Sequence, residues 1–121
     1  MHIGNLTFDC EDALVVGGFW SQTLGRPLDP GADSGFCSIG RSDAGRTQPA
    51  WFFERVPERK TAKNRMHLDI IDPDPGTVDR LVTLGASIVA EHGSGVSSHH
   101  WTVMMDPEGN EFCLSSDSYV G

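Results

Sequence analysis

The chain is most informative at first for what it lacks. No apolar run approaches the ~20 residues that a membrane-spanning helix needs, so no membrane partner is expected. The first residues carry neither a basic segment nor an apolar one, and no secretion signal is expected from them. Cysteine is scarce: Cys10, Cys37 and Cys113 are odd in number and spaced without pattern. That excludes a disulfide framework and points to reduced thiols in a cytoplasm. Positive charge is scarce too, with nine Lys and Arg against 17 Asp and Glu and a formal net charge of −8. Such a surface repels a nucleic-acid polyanion and favours a cationic small molecule.

What is present is ordinary globular material. Hydrophobic residues make up 38% of 121, with 14 glycines besides, which excludes disorder and fits a single domain spanning residues 1–121. Five of the nine basic residues, Arg55, Arg59, Lys60, Lys63 and Arg65, crowd into the stretch 55–65, which brackets a connector read over residues 57–64.

Periodicity and punctuation divide the chain further. Residues 2–8 read as a strand. Asp12 suits a helix N-cap, and Val15, Val16, Phe19, Trp20, Thr23 and Leu24 form one apolar helical face. Gly25 and Pro27 end that helix. Residues 36–40 and 50–56 are strand-like, as are 65–71. Pro75 suits the first turn of a second helix, whose apolar face holds Val78, Leu81 and Val82. Strands are expected again at 86–91, 99–105 and 111–115, with a glycine-serine loop at 92–98 and a tight turn at 106–110. The halves echo each other: Asp12 precedes Leu24-Gly25 as Asp72 precedes Leu84-Gly85, and Met1-His2 matches Met66-His67. The economical reading is an α+β fold of two tandem βαβββ modules, module one over 1–56 and module two over 65–116. Neither half buries its sheet alone, so the modules are expected to pair.

The segments KNRMHLDI, the helix ending in LGA, WTVMMDPEGNEFCL and, in the first half, FDCEDALVVGGFWSQTLGRPL resemble the vicinal oxygen chelate superfamily. That superfamily includes glyoxalase I, extradiol dioxygenases and bleomycin-resistance proteins. Among its members the chain is most similar to the glyoxalase-like domains common in actinobacteria. The resemblance implies a curved mixed sheet forming a cup, helices outside, a ligand or metal within, and a homodimer. It also implies four ligand positions, one near each end of each module. The first falls on Asn5, seven residues before Asp12; His2 is the alternative, and both cannot serve, since three residues apart on a strand they face opposite sides. The others fall on Glu54, His67 and Cys113. Glu111 shares a face with Cys113 but lies roughly 7 Å further along the strand.

This set departs from the His or Gln, Glu, His and Glu of glyoxalase I, and it lacks the two-His-one-carboxylate triad of the extradiol dioxygenases. Asn is a weak neutral ligand and Cys a soft one, suited to zinc and not to magnesium. No metal or other cofactor is expected; any ion bound would rest on His67 and Glu54, with zinc as the candidate. Glu54 and His67 are the candidate catalytic pair. Glu54, beside Trp51, Phe52 and Phe53, is a candidate base if burial raises its pKa. Asp69 shares a face with His67 and suits orienting its imidazole. Trp51 and Trp101 are candidate stacking surfaces for an aromatic ligand, and one of His99 and His100 is expected to line the cup. The first functional reading is a small-molecule binder of the bleomycin-resistance type with a degenerate metal site. The alternatives are a metal-dependent lyase, isomerase or dioxygenase, and a metal-free proton-transfer enzyme.

Overall fold

A computed structural model describes residues 2–43, 47–71, 73–92 and 101–115. The chain divides into two compact units, Met1–Lys60 and Thr61–Gly121.

The first unit is built from β1 (Asn5–Cys10), α1 (Ala13–Leu24), β2 (Phe36–Ile39) and β3 (Ala50–Arg55). Its sheet runs β1-β3-β2, with β1 parallel and β2 antiparallel to β3. α1 begins where the sequence places it. The Asp12 carboxylate accepts from the backbone N–H of Leu14 at 3.0 Å and of Val15 at 3.3 Å, satisfying two of the donors that a helix start leaves over. It ends on Gly25 at φ 66°, which a side chain would strain. The helix packs on β2 and β3, burying Ala13, Val16, Phe19 and Trp20 against Cys37, Ile39 and Phe53. An aromatic cluster fills the contact: Phe8 lies 5.9 Å from Trp20, 5.6 Å from Trp51 and 5.2 Å from Phe53, and Trp20 lies 5.3 Å from Trp51. At Gly17, α1 lies close against the sheet. A Cβ there would collide with Cys37 Sγ and stand 3.2 Å from the Phe53 ring.

The module-one sheet differs from the expected pattern in having two strands after its helix among the described residues, not three. The segment that would supply the third does run along the free edge of β2: Asp29 N–H donates to Ser38 O at 2.8 Å and Asp33 N–H to Phe36 O at 3.0 Å. Between them Pro30 has no N–H to give, and Gly31 turns to φ 88°. The edge is covered without a regular ladder, one of the ways proteins blunt an edge strand.

The second unit contains β4 (Leu68–Ile71), α2 (Thr77–Thr83), β5 (Ser87–His92), β6 (Trp101–Met105) and β7 (Glu111–Ser115), with sheet order β4-β7-β6-β5. β4 is parallel to β7; β6 is antiparallel to both β5 and β7. α2 starts two residues beyond Pro75, after Gly76 at φ 85°, and has no side-chain cap. Pro75 therefore precedes the helix instead of entering its first turn. The core holds Leu81, Ala86, Met104, Phe112 and Leu114. The β6–β7 turn is organised by the buried Asp106 carboxylate, which accepts from Glu108 N–H at 2.9 Å, Asn110 N–H at 3.0 Å and the Asn110 side-chain amide. Among the described residues no helix is long and apolar enough to cross a membrane.

Candidate functional site

Strand alternation sorts each sheet into a helix-packed face and an open face. In module two, Leu68 and Ile70 stand beside Phe112 and Leu114, while Asp69 pairs directly with Cys113 across the parallel β4–β7 ladder. Cys113 is flanked on its other side by Val103 of β6. His67, just before β4 and two residues from Asp69, reaches the same place, its Nε2 lying 3.5 Å from Asp69 Oδ1. One ligand atom from each of His67, Asp69 and Cys113 falls within 4.8 Å of the others. His67 and Asp69 are exposed and Cys113 is half-buried.

The Cys113 thiol is pushed above its ordinary pKa, first by desolvation, then by the Asp69 charge and by its hydrogen bond with that carboxylate; nearby Lys63 opposes the shift. At neutral pH the group is a thiol and not a ready nucleophile. Glu111 shares this face one step along β7 and does something else. Its carboxylate accepts from Asn64 N–H at 2.8 Å, tying the segment that leads into His67 to the start of β7. Trp101 stands opposite Ser115 on the same face, its ring stacked on His92 at 4.9 Å and 22°. His99 and His100 lie outside the described residues.

In module one the open face carries Asn5, Thr7 and Asp9 of β1, Ala50, Phe52 and Glu54 of β3, and Phe36 and Ser38 of β2. Asn5 pairs with Ala50, and Glu54 pairs with Asp9. Asn5 and Glu54 thus share a face but stand four positions apart, about 13 Å along the strands, too far for one ion. Between them Thr7 pairs with Phe52. The Phe52 ring meets Phe36 edge-on at 5.4 Å and lies beneath the Arg41 guanidinium at 6.0 Å. Glu54 is exposed, so the burial expected beside the aromatic run is not found there. Trp51 is corrected as well: it pairs with Leu6 and Ile39 on the helix-packed face, inside the aromatic cluster, and does not share a face with Glu54.

Phe52, Lys63 and the Asn64–Glu111 tether were missed in the sequence. Asp69 was visible from its spacing to His67.

The model of the glyoxalase-like domain family matches residues 5–115. No curated protein matches the chain. Solved structures do. A glyoxalase/bleomycin resistance protein/dioxygenase family enzyme from Burkholderia phytofirmans PsJN is 18% identical, with 95% of this chain and 98% of that chain covered at a TM-score of 0.66. A mutant of the genomically encoded fosfomycin resistance protein FosX from Listeria monocytogenes, complexed with Mn(II) and 1S,2S-dihydroxypropylphosphonic acid, is 10% identical, with 97% and 90% covered at 0.71. A lactoylglutathione lyase from Agrobacterium tumefaciens is 14% identical, with 94% and 92% covered at 0.55. At these identities the structures speak for the fold, and the match of the family model over nearly the whole length supplies the rest: the chain belongs to the glyoxalase-like domain family.

Proposed function

We propose that the chain is a small-molecule-binding protein of the glyoxalase/bleomycin-resistance type in which the hard-metal chemistry of its relatives has been lost. One observation supports this reading: Asn5 and Glu54 stand four positions apart in the β1–β3 register, about 13 Å along the strands, so module one does not bring its two expected ligands to one ion. Without Glu54, the expected ligands Asn5, His67 and Cys113 offer a neutral amide, an imidazole and a thiol. Mn(II) and Mg(II) favour oxygen donors, so this set does not fit them.

The side chains suit recognition instead. Phe36 and Phe52 on one open face, and the Trp101–His92 stack on the other, offer π surfaces; the −8 charge favours a ligand carrying positive charge. A flat, aromatic or cationic molecule is the class expected. A homodimer in a reducing cytoplasm is the expected setting, checked by light scattering and by thiol counting on freshly prepared protein.

The test is native mass spectrometry of untagged protein for a retained organic ligand, with calorimetric titration of the chelator-treated chain by Mn(II), Ni(II) and Mg(II). A retained ligand and no stoichiometric binding of these ions is the expected result. Tight Mn(II) or Ni(II) binding that disappears in His67→Ala overturns it. That outcome would favour the second reading, a metal-dependent lyase, isomerase or dioxygenase, which the His67–Asp69–Cys113 convergence keeps in view. Proton transfer by His67 and Asp69 without metal is checked by the same variant's loss of turnover with metal-free protein.

A further inference from the structure

We propose that the turn after β2 selects a flat aromatic molecule bearing a carboxylate, with the Arg41 guanidinium taking the carboxylate and the rings of Phe36 and Phe52 taking the aromatic plane. This deepens the small-molecule reading and rests on it.

The turn is built to present Arg41. Gly40 follows β2 at φ 75°, a conformation that a side chain would strain, and a Cβ there would displace the Arg26 guanidinium. Asp43 N–H donates to Gly40 O at 3.4 Å and closes the turn. Two carboxylates then fix it. Asp29, half-buried, accepts from Arg41 N–H at 2.9 Å and from the Ser38 hydroxyl at 2.7 Å. Asp43 pairs with Arg26 at 3.4 Å. The two arginines that meet here therefore differ. Arg26 has its carboxylate; the Arg41 side chain has none among the described residues and lies over the Phe52 ring at 6.0 Å.

Contact with a ring uses none of the five N–H donors of a guanidinium, and their planar fork matches a carboxylate bidentately. Beside Arg41 the surface is aromatic. Phe52 meets Phe36 edge-on at 5.4 Å, and both rings are half-buried, so each keeps area for a ligand. Asp9, Glu54 and Phe36 lie in one row across the sheet, two residues along β3 from Phe52. The two carboxylates of that row repel a third, which turns the charged group of the ligand toward Arg41. The −8 net charge slows the approach of an anion. At physiological salt, however, exposed charges more than about 8 Å apart are largely screened, and the contact itself is set by Arg41.

The experiment follows amide NMR spectra of the full chain during titration with three probes of one shape: 2-naphthoate, 2-naphthamide and 2-naphthylmethylammonium. The carboxylate is expected to bind about 5–10-fold tighter than the amide, with shifts at Phe36, Ser38 and Phe52. Arg41→Gln removes that preference and leaves binding of the amide probe unchanged. Arg41→Lys, a point charge without the planar fork, keeps part of it. Phe52→Leu weakens the carboxylate and amide probes together. The same spectra report whether each variant is folded. A preference that survives in Arg41→Gln, tighter binding of the ammonium probe, shifts confined to module two, or no binding of any probe overturns the proposal. The small-molecule reading stands or falls separately, on the retained ligand sought by native mass spectrometry.

Discussion

The two modules repeat one plan and spend their residues differently. Module one packs Phe8, Trp51 and Phe53 against a 12-residue helix whose start is capped by Asp12, and five residues of that helix are buried. Module two has a seven-residue helix with no side-chain cap and one buried residue, Leu81. On the open faces the contrast reverses. Module one shows Asn5, Thr7 and Phe52; module two gathers His67, Asp69 and Cys113. Packing strength and chemical equipment have been divided between the halves, as expected when a duplicated unit need keep only one copy of each demand.

The sharpest way to break this comparison is to remove the centre of each core. Trp20→Ala should cost about 3–5 kcal/mol and Leu81→Ala about 2–5 kcal/mol, measured by denaturant unfolding. If Leu81→Ala costs more than Trp20→Ala, module one is not the better packed. Asp106→Ala comes next. Several donors at the β6–β7 turn lose one acceptor, and a loss of about 1–3 kcal/mol is expected. Asp106→Asn should recover part of it, because the amide oxygen still accepts.

A pH-gated effect sharpens the contrast between thiols. Burial, then the charges of Asp12 and Asp33, push Cys37 up from 9.0 to about 11. The folded chain therefore holds a proton that the unfolded chain releases. The stabilisation is complete below pH 9.0 and is lost as pH rises toward about 11. Unfolding midpoints across that window should fall, and less steeply in Cys37→Ala. Cys113, half-buried and also raised, should react with iodoacetamide more slowly at pH 8 than a free thiol, yet ahead of buried Cys10 and Cys37. The smallest effect is at the cap: Asp12→Ala should cost ~1 kcal/mol, with no position in α2 giving the like.

Much of this division was legible in the sequence, and what was not has a physical reason. The limits of α1, the α+β order, the Asp106 turn and the neighbourhood of His67 and Asp69 follow from local rules: a cap, a glycine, a Pro-Gly turn, a period of two. The separation of Asn5 from Glu54 was not legible, because a shift of two along a strand keeps every side chain on its own face and only the pairing with β1 fixes the register. Trp51 was misplaced because Ala50 through Phe53 is apolar without interruption, which erases the alternation that tells one face from the other. That the described residues of module one hold two strands after the helix and not three was hidden for a different reason. Pro30 and Gly31 were visible, but whether such a segment still lies along an edge depends on the hydrogen bonds it finds there.

The β6–β7 turn also bears on time. A five-residue connection closes fast, on the scale of ~10–100 ns for short loops, so this hairpin is expected to nucleate its module. β4 reaches β7 only after the chain from Leu68 to Phe112 has been gathered, a larger entropy to overcome. Asp69 then meets Cys113 in the closing step, and the three donor groups are scattered until that step is done. φ-values near zero at Leu68 and Ile70, beside high values at Met104 and Phe112, would bear this order out. The chemistry of the molecule would then be its last part to assemble, present in the finished fold and absent from every compact state before it.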